Sequence, residues 1–317
     1  MDQPIKPGFR AGFAAILGRP NVGKSTLLNA FLNQKLSIVS AVPQTTRHKI
    51  LGILNRSDCQ ACFVDTPGLL DAAKDGLQHA LMRTARIASR EDADVLLLVV
   101  EPSLPSPQDL EALARLTRGP HPVLLAINKA DAAPDVDGLR RTAEAYDEAL
   151  KPAEIHVISA LRKDGVEELL ASVISRLPES PPYYETDRIS DRWERFFAEE
   201  VIREKIFEQY FEEIPHACAT VVEEFSEAGS GPRSGPGRPG SGRNDRVSAI
   251  VYVERETQKG ILIGAKGKAI RNLTETAQKA LKDFLGRPVE LDLRVKVRSN
   301  WRKDPRSLRE FGFEGRS

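Results

Sequence analysis

The sequence predicts two folded units on one chain: an α/β unit with a doubly wound sheet, then a smaller α+β unit. Three observations predict them. Short apolar runs that end in polar or glycine-rich turns recur through the first half, among them Phe13-Ala14-Ala15-Ile16-Leu17, Cys59-Gln60-Ala61-Cys62-Phe63-Val64 and Val123-Leu124-Leu125-Ala126-Ile127. A proline-rich break, Leu177-Pro178-Glu179-Ser180-Pro181-Pro182-Tyr183-Tyr184, ends that pattern. The formal net charge of +1 also hides an asymmetry. From Ile261 to Ser317 there are 14 Lys and Arg against 7 Asp and Glu, a balance of +7, which leaves −6 for the rest. A chain of 317 residues fits two domains. The expected boundaries are 1–178 for the first unit, 179–190 for a stiff linker and 191–317 for the second unit.

In the first unit, the strand ending at Leu17 runs into Gly18-Arg19-Pro20-Asn21-Val22-Gly23-Lys24-Ser25, and a helix pattern opens at Ser25-Thr26-Leu27-Leu28. Strand, glycine loop and helix in that order form the phosphate-binding loop of P-loop NTPases. Backbone N–H groups around Gly18, Asn21, Val22, Gly23 and Thr26 would cradle phosphates, helped by the helix N-terminus. Lys24 would reach the β- and γ-phosphates, and the Ser25 hydroxyl would ligate Mg2+. The strand after it ends in Asp65-Thr66-Pro67-Gly68. Asp65 is expected to hold the same Mg2+ through water, and the Gly68 N–H to sense the γ-phosphate. Thr45-Thr46-Arg47 lies between helix and strand, where a Mg2+-binding switch threonine belongs; Thr46 is preferred and Thr45 is the alternative.

The base is read from Asn128-Lys129-Ala130-Asp131 at the end of the third apolar run. A carboxylate at Asp131 can accept from both N1–H and the exocyclic amine of guanine, a donor pair that adenine lacks. Asn128 and the stem of Lys129 would brace the site and cover the base. Ser159-Ala160-Leu161 follows another strand, and the Ala160 N–H would meet guanine O6. Cys59 and Cys62 form a C-x-x-C, but an odd offset on a strand points the two thiols to opposite faces. With no second cysteine pair and no nearby histidine they are expected as buried structural residues rather than a metal site. No apolar stretch reaches transmembrane length, and the first residues carry no signal-peptide pattern.

In the second unit, Ile263-Gly264-Ala265-Lys266-Gly267-Lys268 contains G-x-x-G between two helical patterns. A helix from Trp193 to Phe211, strands at 217–225 and 249–253, and the alternating run from Val289 to Val297 complete an α-β-β-α-α-β order. That order, with this loop, resembles a type II KH domain, whose glycines let the backbone clamp a nucleic-acid strand. Lys266 and Lys268 would meet phosphates. The Gly-, Pro-, Ser- and Arg-rich stretch 226–246 is expected as an inert, flexible loop between two of its strands.

The wording Gly-Arg-Pro-Asn-Val-Gly-Lys-Ser-Thr, Pro-Gln-Thr-Thr-Arg and Asp-Thr-Pro-Gly resembles the bacterial ribosome-assembly GTPases. The KH order and the ending Asn300-Trp301-Arg302-Lys303-Asp304-Pro305 narrow the resemblance to the Era family. It implies hydrolysis of GTP to GDP and phosphate with Mg2+, and binding of the 3′ end of small-subunit ribosomal RNA during maturation of the small ribosomal subunit. It also implies a cytoplasmic protein with peripheral contact to the inner membrane. A monomer is expected. Leu69 stands where many GTPases carry a water-orienting glutamine. In GTPases of this type an asparagine at the position of Asn21 helps hold a K+ ion, so the catalytic group is expected to comprise Lys24, Thr46, Gly68 and Asn21. The rival readings are an RNA-binding adaptor that holds nucleotide but barely turns it over, and a peripheral membrane GTPase.

Overall fold

The computed structural model describes residues 7–39, 46–68, 75–90, 93–228 and 244–313, with 85–90 described by backbone alone. Thr45, Leu69 and most of the stretch 226–246 lie outside the described residues. The chain divides into two units, Met1–Lys74 with Gln78–Asp191, and Asp75–Leu77 with Arg192–Ser317.

The first unit alternates β1 (Arg10–Leu17), α1 (Lys24–Leu32), β2 (Ile50–Asn55), β3 (Cys59–Asp65), α2 (Gly76–Arg90), β4 (Val95–Val100), α3 (Pro107–Leu116), β5 (Val123–Ile127), α4 (Val136–Leu150), β6 (Glu154–Val157) and α5 (Val166–Ser175). The strands form one sheet in the order β2-β3-β1-β4-β5-β6. All neighbours are parallel except β2, which runs antiparallel to β3 at the edge. β4 is buried on both faces, which is why Val95-Leu96-Leu97-Leu98-Val99-Val100 is apolar without alternation. One face packs Ala15, Leu17, Leu96, Leu98, Leu125 and Ile127 against Leu113, Leu116 and Tyr146 of α3 and α4. On the other, Phe31 of α1 stacks on Phe63 at 4.8 Å between ring centroids.

Cys59 and Cys62 are buried, free thiols. Burial, with nearby negative charge second, pushes the Cys59 thiol up to about 11 and that of Cys62 to about 12. Among the described residues no group of His, Cys, Asp and Glu could hold a metal. Burial and raised pKa keep both thiols protonated at neutral pH.

The segment expected as linker is tied to the first unit by backbone pairing. Ile53 N donates to Ile189 O at 2.9 Å, and Ser190 Oγ to Leu51 O at 2.6 Å. The Gln60 side chain, fully buried, accepts from the amides of Tyr183 and Tyr184 and donates to Tyr184 O. The physical reason is that β2 is an edge strand, whose free N–H and C=O groups need partners. Ile189 and Ser190 supply them, Tyr183 and Tyr184 bond Gln60 of β3, and Tyr184 closes the small cluster of Leu51, Ile53, Cys62 and Val64.

The second unit comprises α6 (Glu194–Gln209), α7 (Ile214–Ala217), β7 (Ala219–Ser226), β8 (Asp245–Val253), α8 (Glu256–Ile263), α9 (Lys268–Leu285), β9 (Val289–Val297) and α10 (Pro305–Glu310). β7 pairs antiparallel to β8, and β8 parallel to β9. Helices and strands share one core containing Ile202, Ile206, Val247, Ala249, Val251, Leu273, Ala277, Leu281 and Leu291. α6 is shorter than the predicted span from Trp193 to Phe211. Trp193 is its N-cap, Phe211 follows the C-cap residue Tyr210, and both aromatics are exposed.

Candidate nucleotide and nucleic-acid sites

The phosphate loop is shaped by what surrounds it. Gly23 sits at φ 99° as N-cap of α1, and a Cβ there would collide with the Asn128 side-chain amide. Only glycine meets both conditions. No side chain caps α1, so its first N–H groups face the loop as an anion site. Lys24 is buried and donates through Nζ to the carbonyls of Arg19 at 2.8 Å and Gly18 at 3.2 Å. Burial lowers its pKa to about 8, against the attraction of Asp65. Asn21 turns outward at φ 65°. Gly68 lies against Pro20, so close that a Cβ would strike the Pro20 backbone.

Three oxygen-bearing side chains converge beside Lys24. Ser25 Oγ is 2.9 Å from Thr46 Oγ1 and donates to Asp65 Oδ2 at 2.9 Å, and Thr46 Oγ1 reaches Asp65 Oδ2 at 3.3 Å. All three residues are buried. Asp65 Oδ1 has no hydrogen-bond partner among the described residues. Burial raises the Asp65 pKa, opposed by Lys24 and by the hydroxyls of Ser25 and Thr46. A buried carboxylate with an orphaned oxygen and two hydroxyls is an oxygen-only donor set suited to a hard divalent cation. The residues therefore fit Mg2+.

The base end is braced from three sides. Asn128 is buried; its Nδ2 donates to Val22 O at 2.8 Å, and its Oδ1 accepts from Ala160 N at 2.9 Å. Asp131 accepts from Ser159 Oγ at 2.6 Å, and that bond holds its carboxyl below the usual range. The structure thus joins Asn128, Asp131, Ser159 and Ala160 to the phosphate loop by hydrogen bonds, with Lys129 beside them in the same turn. The Ala160 N–H, assigned to guanine O6, is engaged by Asn128, because Ala160 is buried and turned into the loop. Its first role is to brace Asn128; a base acceptor would share that N–H. Leu161 stands exposed at the rim. Lys129, at φ 62°, extends its ammonium to Glu101, a contact no motif flagged.

In the second unit, α8 ends at Gly264, at φ 68° and ψ 176°. A short turn carries Ala265 and Lys266 outward, with Lys266 in the left-handed region at φ 51° and Gly267 at φ 73°. Gly267 is the N-cap of α9 and no side chain caps it. Ala265, Lys266 and Lys268 are exposed, while Ile263 is half-buried at the end of α8. The arrangement offers a backbone ridge, an open helix N-terminus and two lysines to a phosphodiester.

Comparison with known proteins agrees with both sites. The family model for 50S ribosome-binding GTPases matches residues 13–129, and the model for KH domains matches residues 238–302. The chain is thus a P-loop GTPase joined to a KH domain. It is 40% identical over 313 residues to the GTPase Era of Pseudomonas aeruginosa, covering 99% of this chain and 98% of that one. It is 42% identical over 307 residues to that of Geotalea uraniireducens, covering 96% and 98%. Among solved structures, an Aquifex aeolicus Era variant bound to GDP and aluminium fluoride superposes with a TM-score of 0.89 at 33% identity, over 97% of this chain and 100% of that one. An Era complex with MgGDPNP and nucleotides 1506–1542 of 16S ribosomal RNA matches with the same score, identity and coverage. The chain belongs to the Era family of GTPases, and it hydrolyses GTP.

Proposed function

We propose that this GTPase binds the 3′ end of small-subunit ribosomal RNA through its KH domain and assists maturation of the small ribosomal subunit. The observation that carries this is one chain joining a complete guanine site to an open G-x-x-G turn, in a fold that matches an Era complex holding a GTP analogue and a 16S RNA segment. Guanine is selected by Asp131, held ionised by Ser159. Phosphates are held by the loop from Gly18 to Thr26. Mg2+ would be held by Ser25 and Thr46, with Asp65 behind them, and would supply charge neutralisation at the β- and γ-phosphates. Lys24 leaves the Arg19 and Gly18 carbonyls for those phosphates. Gly68 offers its N–H to the γ-phosphate.

Asn21 supports the further reading that K+ raises turnover. It stands at the outer lip of the phosphate loop, where charge builds between the β- and γ-phosphates. A cation there acts on the transition state more than on the ground state, so turnover rises and binding does not. A peripheral membrane contact gains no support from α6, because its Phe197 and Phe207 are buried within the KH unit. Among the described residues no helix is long and apolar enough to cross a membrane. One assay tests the scheme: multiple-turnover phosphate release from GTP in K+ against Na+ at equal ionic strength, for wild type and Asn21→Ala. Faster release in K+ that is lost in the variant is expected. Release confined to a single turnover would favour the RNA-binding adaptor, and equal wild-type rates in both salts would remove the K+ role.

A further inference from the structure

Three residues of the Asn128-Lys129-Ala130-Asp131 turn are read as base contacts, and the structure gives each one its own holder. Asn128 is held by Val22 and Ala160, and Asp131 by Ser159. Lys129 is held by Glu101, through an ion pair from Nζ to Oε1. Glu101 belongs to none of the nucleotide motifs. It is the first residue after β4, and β4 is bonded directly to the turn, since Asn128 N donates to Val100 O at 2.8 Å. The Glu101 backbone is therefore placed close to that of Lys129, whose left-handed φ of 62° sets the direction in which its side chain leaves.

We infer that Glu101 is a positioning residue for guanine-nucleotide binding, holding the Lys129 stem in place across the base. The inference rests on the reading of Lys129 as the cover of the guanine. A free lysine samples many rotamers and must lose them when a nucleotide arrives. A lysine already anchored at its far end has lost most of that freedom, so the base meets a surface in place. Both members of the pair are partly exposed, Lys129 at 39% and Glu101 at 44% of the side chain, so the gain is that of a solvated ion pair. Glu101 also borders a cavity of about 280 Å³ lined by Arg19, Pro20, Val22, Leu104 and Tyr146. Space on that side lets a glutamine replace it without a packing defect.

The test is isothermal titration of nucleotide-free protein with GDP and with a non-hydrolysable GTP analogue. Four proteins are compared: wild type, Glu101→Gln, Lys129→Met, which keeps the stem without the charge, and the double variant. Glu101→Gln is expected to weaken both nucleotides by the same factor, about 1.4-fold to fivefold, the range of an exposed ion pair. In the Lys129→Met background the same substitution is expected to change nothing, since there is no ammonium left to hold. The wild-type advantage over Glu101→Gln is also expected to shrink as salt is raised. Wild-type affinity in Glu101→Gln would overturn the inference. So would an equal loss in the Lys129→Met background, which would make Glu101 a structural residue acting through the fold. A wild type that binds neither nucleotide would instead overturn the guanine reading itself.

Discussion

Asn128 shows how much a single residue organises here. Its amide nitrogen fixes Val22 in the phosphate loop, its carbonyl oxygen takes the Ala160 amide, and its backbone N–H takes Val100 O. Phosphate end and base end are thus one hydrogen-bonded object. Asp131 differs, being held by one short bond from Ser159 and otherwise open to the base. If it reads the paired donors of guanine, Asp131→Asn loses a charged bidentate contact and presents a donor where an acceptor is needed. GTP affinity should fall by about 2–4 kcal/mol, the scale of charged hydrogen bonds, and xanthosine triphosphate should become the better ligand. Unchanged GTP binding in a folded variant would end the assignment. Most of these residues were legible in the sequence, because phosphate and guanine chemistry dictate residue types at fixed spacing. Glu101 was not, since its partner lies 28 positions away in the turn after β5 and a lone glutamate after an apolar run carries no pattern. The bond from Ala160 to Asn128 was also hidden, because a backbone amide has no sequence signature.

Elements show a second kind of legibility. Strands β1, β3, β4 and β5 could be read from apolar runs, since strands buried on both faces need no alternation. The docking of residues 183–190 on β2 and β3 could not, because Pro181-Pro182 argues for a stiff spacer and the docking uses Gln60, a polar residue within the buried strand β3. Gln60 makes four hydrogen bonds, to Asn55, to Tyr184 O and to the amides of Tyr183 and Tyr184. Gln60→Ala strands those amides and should destabilise the first unit by about 1–3 kcal/mol, measured by denaturant melts. A change within error would mean that water replaces the glutamine. α6 buries Glu200, Arg203 and Glu204, with Arg203 Nε bonded to Glu200 Oε1 at 3.0 Å. Helical periodicity places charges on a solvent face and cannot foresee that they pair inside.

Glu199 on the same helix accepts from Val222 N at 2.9 Å, beside an irregularity in β7 between Val222 and Glu224. Burial, opposed by that amide, pushes its carboxyl up to about 7. A carboxyl raised in the folded state binds its proton more tightly there than when unfolded. Stability from this group is therefore present at low pH and is lost as pH rises from the ordinary carboxylate range through about 7. Glu199→Gln cannot titrate, so its stability relative to wild type should improve between pH 5 and pH 8, read by urea melts at each pH. A constant difference across that range would show that Glu199 ionises normally.

At the scale of the whole molecule, the charge asymmetry and the G-x-x-G turn together point the second unit toward a polyanion partner. Neither signal suffices alone. A basic stretch is usually a solvated surface, and here Arg294 and Lys296 of β9 are spent on Glu223 of β7. What distinguishes Lys266 and Lys268 is that they flank a turn whose backbone is open, exposed at both positions and followed by an uncapped helix. Ala265→Asp with Lys266→Asp changes the local charge by three units while both side chains point into solvent, so the fold should survive. Against a phosphodiester backbone those carboxylates repel what the lysine attracted. Retention of RNA from the 3′ end of 16S ribosomal RNA on filters should collapse, with residual binding less steep in salt because fewer phosphate contacts remain. Phosphate release from GTP without RNA should match wild type, because the altered turn contributes no group to the nucleotide site. Equal RNA retention by the double variant would show that the KH turn is not where the nucleic acid binds.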